Sequence, residues 1–312
     1  MGSIHEKWLL LISTPIYAFI IGLELLLTHL QQLKVYTVKG TIANVYLMLL
    51  NAGIDAAFRI VYLTIFQMVF VHACYQFSNS WMYWIMLLLA EDFLYYWLHR
   101  FDHEIRLFWA VHVTHHSAEQ LNFSVGFRSS VFEPLYRFIY FLPLAYFGFK
   151  PLDIAFIYSA TQIWGTFVHT EIIGRLGWLE YILVTPSHHR VHHASNVKYL
   201  DKNMGMFLII WDRLFGTFQK ELSATEYEPI KYGLTTRIEN INAVNLVFHE
   251  WQSIWKDIRR KDLSFREKLG YLFKAPGWSH DGSRLTSEQL LKLEDDKFLF
   301  QIKEDKRVMV TE

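Results

Sequence analysis

The sequence is poor in charge, nearly without cysteine, and shows no excess of either sign. Charged residues make up 19% of its 312 positions, against about a quarter in an ordinary soluble domain. Hydrophobic residues make up 52% and aromatics 17%, which excludes disordered, collagen-like and acidic or basic tail proteins. Basic and acidic residues balance at 30 each, so the chain carries no electrostatic footprint for nucleic acid. A single cysteine, Cys74, excludes an internal disulfide and a thiolate zinc site. There is no internal repeat, low-complexity tract, G-x-G-x-x-G fingerprint or fused haem signature.

The charge that is present is unevenly spread. Residues 1–98 carry 9 charged side chains and residues 219–312 carry 32. That asymmetry predicts a membrane-embedded front and a water-facing back. Trp8 to Leu30 is apolar apart from Glu24, long enough to span a bilayer, and reads as an anchor rather than a signal peptide. Thr41 to Ala52, Ile60 to Tyr75 and Trp81 to Leu98 are further apolar pieces. Phe138 to Phe149 and Ile154 to Val168 form another apolar region, split at Lys150 and Pro151, which predicts two short helices with a turn. Beyond Gly216 the texture becomes polar, with an amphipathic helix expected over Asn245 to Lys261 and one more over Ser287 to Lys297. Trp251 and Trp255 suit either a membrane interface or ordinary packing. The predicted fold is all-α: an integral membrane helical bundle with a cytosolic helical cap.

Fifteen histidines are the informative count, and nine of them fall within residues 99–116 and 188–193. His99 and His103 are spaced i, i+4 at the end of an apolar helix, one turn apart on one face. His112, His115 and His116 follow at i, i+3, i+4, and His189, His192 and His193 repeat that spacing. Helical bundles build two-metal sites from such inward-facing side chains. Eight imidazoles beside membrane segments are costly to bury without strong partners, are too many for one ion and suffice for two. His169, at the end of the run Ile154 to Val168, is a further ligand candidate. His188 points about 100° away from His189 on a helix and is a weaker ligand candidate. Imidazole suits zinc, copper, iron and nickel. A lipid-accessible all-histidine pair favours iron and dioxygen chemistry, with zinc hydrolysis as the second reading.

The strings HRFDH (99–103), HVTHH (112–116) and HRVHH (189–193) resemble, in order, the H-x3-H, H-x2-HH and H-x2-HH boxes of the fatty acid hydroxylase superfamily, also called the sterol desaturase family. DFLYYWLHR (92–100), HHSAEQLN (115–122), VHTE (168–171), LGWLEYILVTPSHHRVHH (176–193), DKN (201–203) and LIIWDRLFGTF (208–218) resemble the alkylglycerol monooxygenase branch. The apolar runs and charge distribution predict membrane helices over 1–80 and a polar helical extension over 219–312, and the resemblance, which covers roughly residues 80–260, implies a di-iron catalytic domain over 81–218. It implies iron ligands at His99, His103, His112, His115, His116, His189, His192 and His193, with His169 as a further one. Glu104, which follows a ligand, and Asp92, seven residues before His99, are candidate acids for orienting imidazoles.

The expected activity is oxygen-dependent hydroxylation of a membrane lipid, cleaving the O-alkyl bond of an ether lipid to a fatty aldehyde and a glycerol derivative. Two irons are the implied cofactors, and tetrahydrobiopterin is the implied electron donor from outside the chain. The active site is expected to face the cytoplasm, from the cell membrane in a bacterium or the endoplasmic reticulum in a eukaryote. A sterol or fatty-acyl hydroxylase or desaturase of the same family is the alternative, and a non-catalytic metal-binding membrane scaffold is the alternative of another class.

Overall fold

The computed structural model describes residues 4–78, 80–236, 238 and 242–296. Among the described residues, ten α-helices, a further helical segment over 287–296 and short 3-10 turns make up the regular structure, with no β-strand beyond two isolated bridges. Five helices make the bundle: α1 (Ile4–Leu30), α2 (Val38–Phe70), α3 (Trp81–Glu104) and the hairpin of α5 (Arg137–Tyr146) and α6 (Pro151–Phe167). Between α3 and α5 lies α4 (Arg106–His116). After α6 come α7 (Pro186–His193), α8 (Ile210–Phe215), α9 (Ala243–Ile258) and α10 (Phe265–Phe273).

Local chemistry explains the boundaries. Thr37 caps α2 by accepting from the Gly40 N–H at 3.1 Å, and Ser80 caps α3 through the Tyr83 N–H. Pro151 opens α6 and Pro186 opens α7, where a missing N–H costs nothing. α8 stops at Gly216, whose φ of 78° is the left-handed cap that glycine adopts without strain. Ser264 and Glu267 form a reciprocal capping box on α10.

Two expected apolar pieces prove to be one helix. α2 runs through Asn51, Gly53 and Asp55 without a break. Asn51, Asp55 and Arg59 recur every four residues and so share a face. Asn51 donates to the Ser130 carbonyl at 2.7 Å, and Asp55 pairs with Arg137 and Arg59. The polar residues that resemble a break in the sequence are the contacts of α2 with the interior. The turn at Lys150, the hairpin of α5 and α6 and the amphipathic α9 agree with expectation. Residues 287–296 are helical, and Lys297 lies outside the described residues.

The core is built from Tyr62, Phe66, Tyr83, Leu87, Leu98, Phe141, Leu144, Phe149 and Ile154, contributed by α2, α3, α5, the loop after it, and α6. The outer faces are also apolar. Phe19 on α1 and Ile60 on α2 are 70% and 71% exposed, and Leu11, Ile42, Leu49, Met68 and Trp81 lie open as well. An apolar shell of this extent marks a surface meant for something other than water. Leu11–Leu30 and Val38–Phe70 are long and apolar enough to cross a membrane. The chain is a helical membrane protein.

Polar contacts tie this bundle to the shorter helices. Glu24, buried in α1, accepts from the Phe123 N–H at 2.8 Å and from the hydroxyls of Tyr36 and Thr170. Arg106, at the first turn of α4, is buried and donates to Glu250 and Asp257 at 2.7 Å and to Ser253 at 2.8 Å. α9 and the segment around Arg284, which also binds Asp257 at 2.7 Å, therefore clamp the start of α4. The other end of α4 is held by buried Arg128, which donates to the Thr114 carbonyl, Asn44 and Ser117.

Candidate metal centre

Nine histidines converge in two adjoining groups. His99, His103, His112, His116 and His192 form one, and His115, His169, His189 and His193 the other. Within each group the candidate ligand nitrogens all lie within 4.8 Å of one another. The helical triplets divide between them. On α4 the i, i+4 pair His112 and His116 enters the first group while His115 enters the second. On α7 the i, i+4 pair His189 and His193 enters the second group while His192 enters the first. Residues one turn apart share a face, and the remaining imidazole points aside. Each triplet thus bridges both groups.

The ring orientations are set from outside. His99 Nδ1 lies 2.8 Å from the Met204 carbonyl, His115 Nδ1 2.8 Å from that of Arg128, His169 Nδ1 2.7 Å from that of Gly165 and His192 Nδ1 3.0 Å from that of Lys202. A carbonyl only accepts, so each of these Nδ1 atoms carries the proton and each Nε2 presents a lone pair. His112 Nδ1 meets the Ser130 hydroxyl at 3.0 Å and His103 Nδ1 meets the Asp201 carboxylate at 3.1 Å. The Nε2 atoms face one another: 3.0 Å between His99 and His112, 3.2 Å between His112 and His116, 2.8 Å between His169 and His189, and 3.1 Å between His169 and His193. Nε2 of His103 and of His192 is buried without any hydrogen-bond partner. Lone pairs converging at this distance repel unless a cation lies among them, and a buried nitrogen without a partner carries a desolvation penalty. The donor set therefore fits a pair of metal ions.

Burial also keeps these rings neutral. It holds the imidazoles of His112, His116, His189, His192 and His193 well below the usual histidine range, with neighbouring imidazoles adding repulsion. His115 is pushed down to about 4 by burial. A neutral imidazole is the form that binds metal.

The two candidate acids do something other than contact imidazoles. Glu104 pairs with Arg100 at 2.8 Å, one turn back on α3, and its side chain is 43% exposed. Successive helical residues diverge by about 100°, so the neighbour of an inward His103 faces out. Asp92 is buried and accepts from the N–H groups of Phe207 and Leu208, at 2.9 and 3.1 Å, and from Trp211 Nε1 at 2.9 Å. It thereby fixes the loop whose Met204 carbonyl holds His99. His188 lies off the cluster: its Nδ1 accepts from the Thr185 N–H at 3.3 Å, and burial pushes it down to about 4.

Other residues take the orienting roles. The segment from Asp201 to Met204 serves three imidazoles of the first group, through the Asp201 carboxylate and the carbonyls of Lys202 and Met204. Asp212 accepts from the N–H groups of Met204 and Gly205 at 2.6 and 2.8 Å and from the Thr217 hydroxyl. Gly205 is required there, because a Cβ would lie 2.6 Å from the Leu208 carbonyl oxygen. Asn203, at a φ of 56°, donates to the carbonyls of His188 and Gln219. Behind His112, the carboxylates of Asp102 and Glu133 come together with its Nδ1, and Asp102 accepts from the Tyr136 hydroxyl at 2.7 Å. The D-K-N string was a sequence signal for part of this; Asp102, within HRFDH, and Asp212, within LIIWDRLFGTF, lie in strings that carry the resemblance without showing their own roles.

Residues 84–217, which hold all nine histidines, match the family model described as Fatty acid hydroxylase. The chain is 42% identical over 202 residues to alkylglycerol monooxygenase of Homo sapiens, covering 65% of this chain and 44% of that protein. It is 38% identical over 208 residues to alkylglycerol monooxygenase of Xenopus tropicalis, covering 67% and 45%. Ornithine lipid hydroxylase OlsE of Rhizobium tropici is 30% identical over 172 residues, covering 54% and 52%. The chain spans about half the length of the curated relatives it matches. No solved structure matches it significantly. Through residues 84–217, the chain belongs to the fatty acid hydroxylase family.

Proposed function

We propose that this chain is an integral membrane di-iron monooxygenase that hydroxylates a lipid, and that its substrate is the O-alkyl chain of an ether lipid. The observation that carries the reading is the inward convergence of Nε2 atoms from nine imidazoles, eight buried and His115 half-buried, six of which have Nδ1 held by a protein oxygen. His99, His103, His112, His116 and His192 would hold one iron, and His115, His169, His189 and His193 the other. Iron bound there would supply activation of dioxygen for insertion of one oxygen atom into a C–H bond, an option closed to redox-inert zinc.

The protein's own contribution is orientation and exclusion of water. The Nδ1 bonds to backbone carbonyls hold His99, His115, His169 and His192 in the metal-binding tautomer. The buried anchors Arg106 and Arg128 hold α4 at both ends, and Arg190 holds α7. Arg190 donates to Glu221 through two bonds, at 3.0 and 2.7 Å, and to the carbonyls of Thr170 and Ile173 beside His169. The carbon next to an ether oxygen is the favoured target because that oxygen stabilises an adjacent radical. Its hydroxylation gives a hemiacetal, which collapses to an aldehyde and an alcohol.

The site faces the cytoplasm in this reading, and electrons arrive from a reduced pterin. Residues 1–80 supply membrane anchorage, 81–218 the catalytic domain and 219–312 a polar extension that braces it. Similarity to the alkylglycerol monooxygenases supports the ether-lipid substrate. Similarity to an ornithine lipid hydroxylase supports a second reading, a hydroxylase of another lipid class. Iron-loaded protein in detergent, given an alkylglycerol, oxygen and tetrahydrobiopterin, should release fatty aldehyde. Turnover of an acyl lipid or sterol but not of the alkylglycerol would move the assignment to the second reading. No turnover of any lipid would overturn both.

A further inference from the structure

A cavity of about 260 Å³ lies beside the first turn of α7, outside the histidine cluster. At about 30 Å³ per water it has room for a group the size of a lipid head. Its wall includes Arg175, Arg213 and Lys220, together with Ser187, His188 and Phe218. The two guanidiniums have no carboxylate partner among the described residues. Arg213 donates to the Glu180 carbonyl at 3.2 Å and lies over the Phe218 ring at 3.8 Å, and Arg175 donates to the Glu221 carbonyl. Lys220 has only an exposed pairing with Glu226 at 3.3 Å.

Two carboxylates also line the cavity, Glu221 engaged through both oxygens and Glu180 through Oε1 alone. Glu221 is bound through both oxygens by Arg190. Glu180 accepts from the Leu176 N–H at 3.1 Å and the Thr185 hydroxyl at 3.3 Å.

The polar wall at α7 points to a ligand. Ser187 and His188 are 1% and 2% exposed and both face the cavity. The Ser187 hydroxyl has no hydrogen-bond partner among the described residues. His188 Nδ1 lies 3.3 Å from the Thr185 backbone nitrogen, and the ring also hydrogen-bonds the Leu183 backbone, so it forms wall rather than a free donor. These groups sit in the first turn of a helix, where the dipole favours an anion. Two guanidiniums, an ammonium and a hydroxyl are a donor set for phosphate oxygens.

The surroundings indicate where that phosphate comes from. Tyr181, which lines the cavity, is 70% exposed, and the chain neighbours of lining residues, Trp178, Leu214 and Ile182, are 70%, 68% and 47% exposed. Exposed aromatics and aliphatics beside arginines are the composition of a membrane–water interface. We propose that this cavity binds the phosphate of a membrane phospholipid, seating the lipid head against α7 while the apolar rim enters the bilayer.

The test is native mass spectrometry of the full-length protein in detergent, counting bound lipid. The probes are phosphatidylglycerol, diacylglycerol as the phosphate-free lipid, and inorganic phosphate. One phosphatidylglycerol per chain should persist where diacylglycerol does not. Arg213→Ala and Arg175→Ala should each weaken its retention at least tenfold, while Lys231→Ala, outside the cavity, should not. Metal content reports whether each variant is folded. If Arg213→Ala fails that check, Arg213→Lys is used, which keeps the charge but loses the planar fork and should still weaken binding. Equal retention of the two lipids, or arginine variants that bind like wild type, would overturn the proposal. Inorganic phosphate bound as tightly as phosphatidylglycerol would also overturn it, showing a site for a soluble ligand. The readout needs no turnover, so it is independent of the proposed lipid hydroxylation.

Discussion

Replacing Asp201 separates the acid that touches an imidazole from the acid that merely neighbours one. His103 Nδ1 lies 3.1 Å from the Asp201 carboxylate, and the His103 side chain is only 4% exposed. Removing such an outer partner costs about 10–100-fold in metal affinity or activity, or about 1.4–2.7 kcal/mol. Asp201 has a φ of 53°, so alanine would add backbone strain to the loss of the acceptor. Asp201→Gly removes the acceptor and tolerates that φ, and Asp201→Asn keeps an acceptor oxygen at the same position. Chelator competition against iron-loaded protein should show Asp201→Gly losing metal 10–100-fold more readily than wild type, with Asp201→Asn between them. Glu104→Ala breaks only an exposed pair with Arg100, of the kind that contributes about 0–1 kcal/mol, and should hold metal within about fivefold of wild type. If Asp201→Gly kept wild-type affinity while Glu104→Ala lost metal, the assignment of the orienting acid would be reversed.

Three further outcomes follow from the same geometry. His169→Ala removes the ring that both His189 and His193 meet, so metal analysis should find the second ion lost and the first largely kept; full retention of both would remove His169 from the ligand set. Arg106→Ala leaves Asp257 and Glu250 partly uncompensated at a buried junction and should destabilise the fold by about 3–5 kcal/mol, seen as a lower thermal midpoint in detergent; an unchanged midpoint would refute the clamp. In metal-free protein, His115 has its folded pKa depressed to about 4 from an unfolded value near 6.5. The unfolded chain then binds more protons, so stability should fall as pH drops from about 6.5 toward 4, and a denaturation midpoint independent of pH across that range would contradict the burial.

The histidine cluster was legible in the sequence because its signal is local. Spacings of three and four residues place imidazoles on defined helix faces, and His169 stood out as an ionisable group ending an apolar run. What the spacing could not show was the exchange of faces, by which His115 and His192 each serve the group opposite their helical neighbours. The orienting acids were legible only as far as chain neighbourhood reaches. Glu104 is adjacent to a ligand and faces away, whereas Asp201 reaches His103 across 98 positions. Asp92 matters to the site through the backbone of residues 207 and 208 rather than through an imidazole. The continuity of α2 was hidden for a related reason: the apolar piece reads as ending near Asn51 and Gly53, and the partners that hold Asn51 and Asp55 inside the helix, Ser130 and Arg137, are 79 and 82 residues distant.

In the proposed function two irons would sit in an all-imidazole cage. Metal analysis of protein purified after iron loading, combined with X-ray absorption at the iron edge, tests this most directly. Two irons per chain and a first coordination shell dominated by imidazole nitrogen are expected. One ion per chain, or a shell dominated by carboxylate oxygen, would contradict it.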